Sequence, residues 1–316
     1  MIIIPLCAES YSEQLKIKIF EPISINGTKQ WVLIRGNDES KPVLLYLHGG
    51  PGQSLIPFAY KATDKLVNDF IVVYWDQRGT GLSYDENISD KTMTINQFVE
   101  DTRSVTEYLK KKFKKEKIYL LGHSWGTVLG TLVIQKYSEN YYAYIGVGQV
   151  VNSAEQERDG TKWLKKKLLR EGTQNEINQI RYMEESNFTN RQLLMKYGGM
   201  IHNITINELK DIMNNSPYSP ETYTNDIYNK GLWFAINLHR ELRSVNFFKT
   251  VSEVKIPVYF FLGAYDYVTP TEPTIQYFKM LKCPKKALVI FEKSGHRMDI
   301  EEPHKFQTEI INVLKK

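Results

Sequence analysis

The sequence predicts an α/β fold: a mostly parallel sheet with flanking helices and a helical segment inserted late in the sheet. Three observations carry that expectation. First, "PVLLYLHGG" (42–50), "FIVVYWDQRGTG" (70–81) and "KIYLLGHSWG" (117–126) are apolar runs that end at glycines. Continuous apolar runs of this length suit strands covered on both faces, as in a parallel sheet. Second, helix-length segments at 58–68 and 94–113 separate them, and strand–helix alternation argues for βαβ units. Third, residues 152–250 are rich in Lys, Glu, Asn and Tyr with helical spacing, after which strand-like runs return at 256–270 and 285–296.

The elements follow in order. "LKIKIF" (15–20) alternates apolar with basic residues and reads as a half-exposed strand. "EPISINGTKQWVLIRG" continues as two strand-like pieces around Asn26-Gly27, a hairpin signal. The three buried runs come next, then "YIGVGQVV" (144–151). Within the insertion, "GTKWLKKKLLREG" and "GLWFAINLHRELRSV" are the clearest helices, and a helix-like tail closes the chain. The expected organisation is a core of 1–151 and 251–316 with a helical cap at 152–250. No internal repeat or low-complexity linker interrupts it.

Composition narrows the function classes. Lys+Arg 41 against Asp+Glu 36 gives +5 over 316 residues, too weak and too dispersed a bias to indicate nucleic-acid binding. The densest basic run, "LKKKFKKEK" (109–117), reads as the solvated end of a helix, where cations suit the negative terminus. Cys7 and Cys283 make neither a disulfide framework nor a metal cluster. They suit a reducing compartment, and a cytoplasmic location is the expectation. The apolar patch in "MIIIPLCAESYSEQ" is too short for a membrane span and lacks the basic region of a signal peptide.

Gly122-His123-Ser124-Trp125-Gly126 fits G-x-S-x-G. The pattern alone occurs by chance roughly 0.1 times in such a chain. Its context is what counts: "KIYLL" before it reads as a strand and "TVLGTLVIQKY" after it as a helix. A sharp strand-to-helix turn strains the serine backbone and lifts its hydroxyl off the sheet edge. The N–H of Trp125 then sits at a helix N-terminus, where it can stabilise an oxyanion.

A serine nucleophile needs an adjacent base. Of the six histidines, His296 alone lies in a loop just past a late buried strand, in "FEKSGHRMD". An orienting acid belongs at the end of the preceding strand, and Asp266 in "FFLGAYDYVTP" occupies that place. Asp299 and Glu292 are rivals, but both lie too near His296 in sequence to come from a separate strand end. "HGGPG" (48–52) supplies glycine backbone after a strand, with Gly50 as the second oxyanion donor. In "DQRGTGLS" (76–83), Asp76 could suggest an aspartyl nucleophile. The preferred reading is structural, with Asp76 and Arg78 bracing one another and the His48 loop.

Taken together, "HGGPG", "WDQRGTGLS", "GHSWGTVLG", "GAYDYVTP" and "SGHRMDIEEP" resemble the proline iminopeptidase group of α/β-hydrolases, peptidase family S33. The resemblance covers about residues 42–150 and 255–310. It implies an α/β-hydrolase fold with a helical cap between strands six and seven, and no metal or organic cofactor. It also implies Ser124 as nucleophile, Asp266 and His296 as its partners, and Gly50 and Trp125 as oxyanion donors.

Members that release an N-terminal proline must hold its ammonium, and a desolvated cation needs carboxylates nearby. In some members an acid follows the catalytic aspartate, whereas here that residue is Tyr267. Glu184, Glu185 and Glu241 in the cap are the candidate replacements, although helical surfaces carry glutamates anyway. Tyr267 and the aromatic residues Trp163, Tyr223, Tyr228, Trp233 and Phe234 equally suit a small apolar acyl group. Two activities are therefore expected: an aminopeptidase of short peptides or amides, and a carboxylesterase or amidase. A catalytically silent binding protein on the same fold is the third alternative.

Overall fold

A computed structural model describes residues 15–186, 188–218, 223, 230–231 and 236–315. The opening apolar patch with Cys7, and also Tyr228, Trp233 and Phe234, lie outside the described residues.

Eight strands form one sheet: β1 (Ile17–Ile25), β2 (Thr28–Gly36), β3 (Val43–Leu47), β4 (Ile71–Trp75), β5 (Ile118–His123), β6 (Tyr141–Val147), β7 (Val258–Gly263) and β8 (Lys286–Phe291). Their order is β1-β2-β4-β3-β5-β6-β7-β8. The first three in that order pair antiparallel, and the rest pair in parallel. The hairpin turn expected at Asn26-Gly27 joins β1 to β2, with both φ angles positive, at 45° and 81°. Such a turn matches the right-handed twist of the strands.

The apolar runs become the central strands because each is covered on both faces. In β3 and β4 every residue is buried. Fully burying one such Leu or Val stabilises the fold by about 1.5–3 kcal/mol, so these segments have no competitive exposed arrangement. Edge strand β8 is half-buried along most of its length. Helices Ile95–Lys112, Trp125–Lys136, Thr271–Met280 and Pro303–Leu314 flank the sheet. The segment 58–68 departs from expectation: it holds only the turn-long helix Ala59–Ala62 between two short 3₁₀ turns.

Between β6 and β7 the described chain is helical, beginning with Ser153–Glu171. Leu164, Leu168, Ile180, Met183, Leu193 and Leu194 form an apolar cluster here, separate from those of the sheet, and Val268 from the loop after β7 joins it. The insertion therefore has a small core of its own, and that core is attached to the loop carrying Asp266.

Candidate active site

The chain turns from β5 into the helix Trp125–Lys136 at Ser124, whose φ of 54° and ψ of −119° are rare for a residue with a Cβ. That conformation costs on the order of 1–3 kcal/mol, and its surroundings enforce it. Ser124 N–H donates to Val147 O at 2.9 Å, and its carbonyl accepts from Thr127 N–H at 2.8 Å. The flanking glycines are steric necessities. A Cβ on Gly126 would collide with the carbonyl oxygen of Leu47, and one on Gly122 with the carbonyl of Gly126 itself. Helix and strands thus cross too closely for side chains, which explains the spacing of the motif.

Asp266 follows β7 and His296 follows β8, and both are 3% exposed. His296 Nδ1 lies 2.7 Å from Asp266 Oδ2. The other carboxylate oxygen accepts the N–H groups of Val268 at 2.9 Å and Thr269 at 2.8 Å. Thr269 Oγ1 adds a bond to Oδ2 at 2.7 Å. Burial on its own would raise the Asp266 pKa, but its electrostatic interaction with the His296 ring and these hydrogen bonds outweigh it and hold the group below the usual range. An ionised Asp266 accepts from Nδ1–H, so neutral His296 keeps its free lone pair on Nε2.

The imidazole packs against the elbow. Its ring centroid is 4.7 Å from that of His123, the residue before Ser124. His123 Nε2 lies 2.8 Å from the His296 carbonyl, which can only accept, so that nitrogen carries the proton. Burial, then the charge of His296, lower the His123 pKa to about 3, so it stays neutral. A Cβ on Gly148 would approach the His296 ring to 2.9 Å, and Gly148 directly follows Val147, the acceptor for Ser124 N–H.

The glycine loop after β3 faces the elbow, since a Cβ on Gly49 would lie 3.1 Å from Ser124 Cβ. Gly50 has φ +107° and precedes a cis bond to Pro51. Gln77 ties this loop to the elbow. Its N–H donates to His48 Nε2 at 3.1 Å and its side-chain amide to His48 O at 3.2 Å. Its Oε1 accepts from Trp125 Nε1 at 2.9 Å. His48 Nδ1, 2.8 Å from the Gly49 carbonyl, is then the protonated nitrogen. Burial lowers the His48 pKa to about 4 and keeps the ring neutral. Gln77 thereby ties Trp125, one of the two residues expected to donate to an oxyanion, to the start of the loop that carries Gly50, the other. Its signal was present in "WDQRGTGLS", but nothing in the sequence gives its partners.

The expected brace between Asp76 and Arg78 does not form. Arg78 makes a two-bond ion pair with buried Asp101, at 2.7 and 2.9 Å. Asp101 also accepts from Asn26 and Gln30 of the hairpin. Asp76 instead accepts from Leu82 N–H at 3.0 Å and Tyr223 O–H at 2.6 Å. The reason lies in the partners: buried Asp101 offers the Arg78 guanidinium both carboxylate oxygens, whereas Asp76 is taken up by the Leu82 N–H and the Tyr223 hydroxyl.

Of the rival acids, Asp299 pairs with Arg297 at 2.9 and 3.0 Å, and Glu292 is exposed. The three glutamates expected to bind substrate have partners elsewhere. Glu184 pairs with Lys165 at 2.6 Å and Glu185 with Arg181 at 2.7 Å, both on helix surfaces. Glu241 accepts from Ile95 N–H at 2.8 Å and so caps the start of another helix. Tyr267 stacks on Trp163 with centroids 4.1 Å apart and packs against the apolar cluster of the insertion. A free amide at a helix end and an oppositely charged neighbour one turn away are strong local competitors for a carboxylate. Among the described residues, no group of three or more His, Cys, Asp or Glu side chains is placed to hold a metal ion. No described helix is long and apolar enough to cross a membrane.

A mostly parallel eight-stranded sheet, a strained serine elbow and a histidine–aspartate pair after the last two strands define an α/β-hydrolase. The chain belongs to the family described as serine aminopeptidase, S33, which matches residues 38–303. It is 35% identical over 315 residues to a probable aminopeptidase, YbaC, of Bacillus subtilis, covering 93% of this chain and 95% of that one. It is 28% identical over 281 residues to a proline iminopeptidase of Heyndrickxia coagulans, covering 88% and 92% of the two chains. The crystal structure of a Mycobacterium smegmatis proline iminopeptidase shares the fold, with a TM-score of 0.69 at 17% identity over 94% of this chain and 98% of that one.

Proposed function

We propose that this hydrolase acts through an acyl-enzyme, with Ser124 as nucleophile, His296 as base and Asp266 as its orienter. The observation that carries the reading is the 2.7 Å pair of Asp266 Oδ2 and His296 Nδ1 packed over the elbow. His296 Nε2 takes the proton as Ser124 attacks a carbonyl. The N–H groups of Gly50 and Trp125 receive the negative charge of the tetrahedral intermediate, that of Trp125 being unpaired within its helix. His296 then protonates the leaving group and activates the water that releases the acid. Residues 152–250 serve as a cap over this site.

The substrate class that fits the relatives is a short peptide or amide from which a small N-terminal residue, proline included, is released. A second reading, a carboxylesterase or amidase for small apolar acyl groups, is favoured by one specific observation. The three cap carboxylates considered for an ammonium are occupied by Lys165, Arg181 and a helix start, and Tyr267 stands where an acid could follow Asp266. A panel of aminoacyl nitroanilides beside short-chain nitrophenyl esters decides between them. Turnover of proline nitroanilide supports the aminopeptidase, and ester turnover without any arylamide turnover rejects it. Fluorophosphonate labelling that survives in Ser124→Ala would refute the nucleophile assignment.

A further inference from the structure

Glu301 is a buried carboxylate, 5% exposed, five residues beyond His296. Among the described residues it forms no ion pair, and it accepts four backbone N–H groups. Oε1 takes those of Gly295 at 3.0 Å and Arg297 at 3.3 Å, the two residues on either side of His296. Oε2 takes those of His202 at 2.6 Å and Asn203 at 2.8 Å, which belong to the helical insertion.

The same short stretch of the insertion touches both loops of the histidine–aspartate pair. His296 N–H donates to Met200 O at 2.7 Å, and Tyr267 N–H donates to Gly199 O at 2.9 Å. A Cβ on Gly295 would come within 2.6 Å of the Met200 carbonyl, so the two backbones are in direct contact. His202 completes the seat by stacking on Tyr265, one residue before Asp266, with ring centroids 3.4 Å apart.

We propose that Glu301 is a positioning residue: its two oxygens clasp the His296 loop to residues 199–203, so that the insertion must be seated for the base to be in register. The proposal rests on the serine–histidine reading above. A carboxylate is required because it alone offers acceptors on both sides. Glu301→Gln keeps the shape but turns one side into donors. Either the base loop or the insertion loop then meets an N–H with an N–H. Burying a carboxylate is costly, and burial indeed raises the Glu301 pKa against the lowering effect of its four donors. A group retained at that cost holds together two segments about a hundred residues apart in the chain.

The test measures the rate at which a fluorophosphonate labels Ser124, together with kcat and KM on whichever ester or arylamide the parent turns over. A base displaced by about 1 Å can slow reaction about 100-fold. The expected result is a fall of that order in labelling rate and kcat for Glu301→Gln, with KM within about twofold of the parent and partial recovery in Glu301→Asp. A folded Glu301→Gln protein labelled at the parental rate overturns the clasp while leaving the catalytic reading intact. A parent that is not labelled at all overturns both. If the variant does not fold, amide exchange in the parent decides. Residues 202–203 and 295–297 opening as one unit supports the clasp, and rates differing more than tenfold between them refute it.

Discussion

Asp266→Asn is the sharpest perturbation of the site, because the surrounding hydrogen bonds dictate how the new amide must sit. Oδ1 accepts two backbone N–H groups, from Val268 and Thr269, and those donors cannot turn away. The amide oxygen therefore takes that place, and the NH₂ group falls where Oδ2 was, 2.7 Å from His296 Nδ1. An NH₂ group only donates. His296 must then accept at Nδ1 and carry its proton on Nε2, the nitrogen that is to receive the proton of Ser124. Thr269 Oγ1, which donates to Oδ2 at 2.7 Å, turns to accept instead. The overall hydrogen-bond count is almost conserved, so folding stability should change by only about 1 kcal/mol. The rate should fall about 10⁴-fold, the scale of a tautomer error in a triad, which is about 5.5 kcal/mol of transition-state stabilisation. Steady-state hydrolysis of an activated ester, measured beside thermal unfolding, checks both halves. A folded variant within tenfold of the parental kcat/KM would refute the assignment of Asp266, and Asp299→Asn would become the next experiment.

Further outcomes are expected. Gly126→Ala places a methyl against the Leu47 carbonyl and 2.8 Å from that of His48; a loss of about 1–3 kcal/mol of stability should accompany lost activity, both read on purified protein by denaturant melts and ester turnover. Ser124→Gly should be inactive yet about 1 kcal/mol more stable than Ser124→Ala, since relief of about 1–3 kcal/mol of strain exceeds the entropy glycine adds, roughly 0.5–1 kcal/mol; equal melting curves would argue against strain at the elbow. Burial raises the Asp76 pKa to about 6, against its hydrogen bonds. A raised folded pKa means that the associated stability is fully present below the unfolded value near 4 and is lost as pH rises through about 6. Relative to Asp76→Asn, the parent should therefore lose up to about 3 kcal/mol between pH 4 and pH 6 and stay level above it, as measured by urea titrations across that range. Asp266, with its lowered pKa, works in the opposite sense: its contribution is present above the unfolded value and disappears only as pH falls through the folded one.

The central strands were legible because an apolar run covered on both faces has one stable destination. β3, β4 and β5 all lie inside the runs that suggested them. The elbow was legible because its constraint is local: a strand, a tight turn and a helix within a few residues force glycine at fixed spacing around Ser124. Asp266 and His296 could be picked out by their places after late strands, since strand order brings those loops to one edge. The segment 58–68 misled because its composition suits a helix, whereas the backbone leaves the helical region at Thr63 after a single turn.

What the tertiary structure alone decided is the pairing of polar groups over long chain separations. Hydrogen bonding is satisfied by whichever donor or acceptor lies nearest in space, and sequence distance carries almost no record of that. Arg78 found Asp101 rather than Asp76, Gln77 joined His48 to Trp125, and Glu301 reached residues of the insertion. The glutamates of the insertion went to a lysine on a neighbouring helix, an arginine one turn away and a helix start, since an exposed carboxylate takes the closest donor. The proposed chemistry thus rests on short motifs whose spacing obeys local sterics. The seat of the insertion on the His296 loop depends on contacts that only the folded chain brings together.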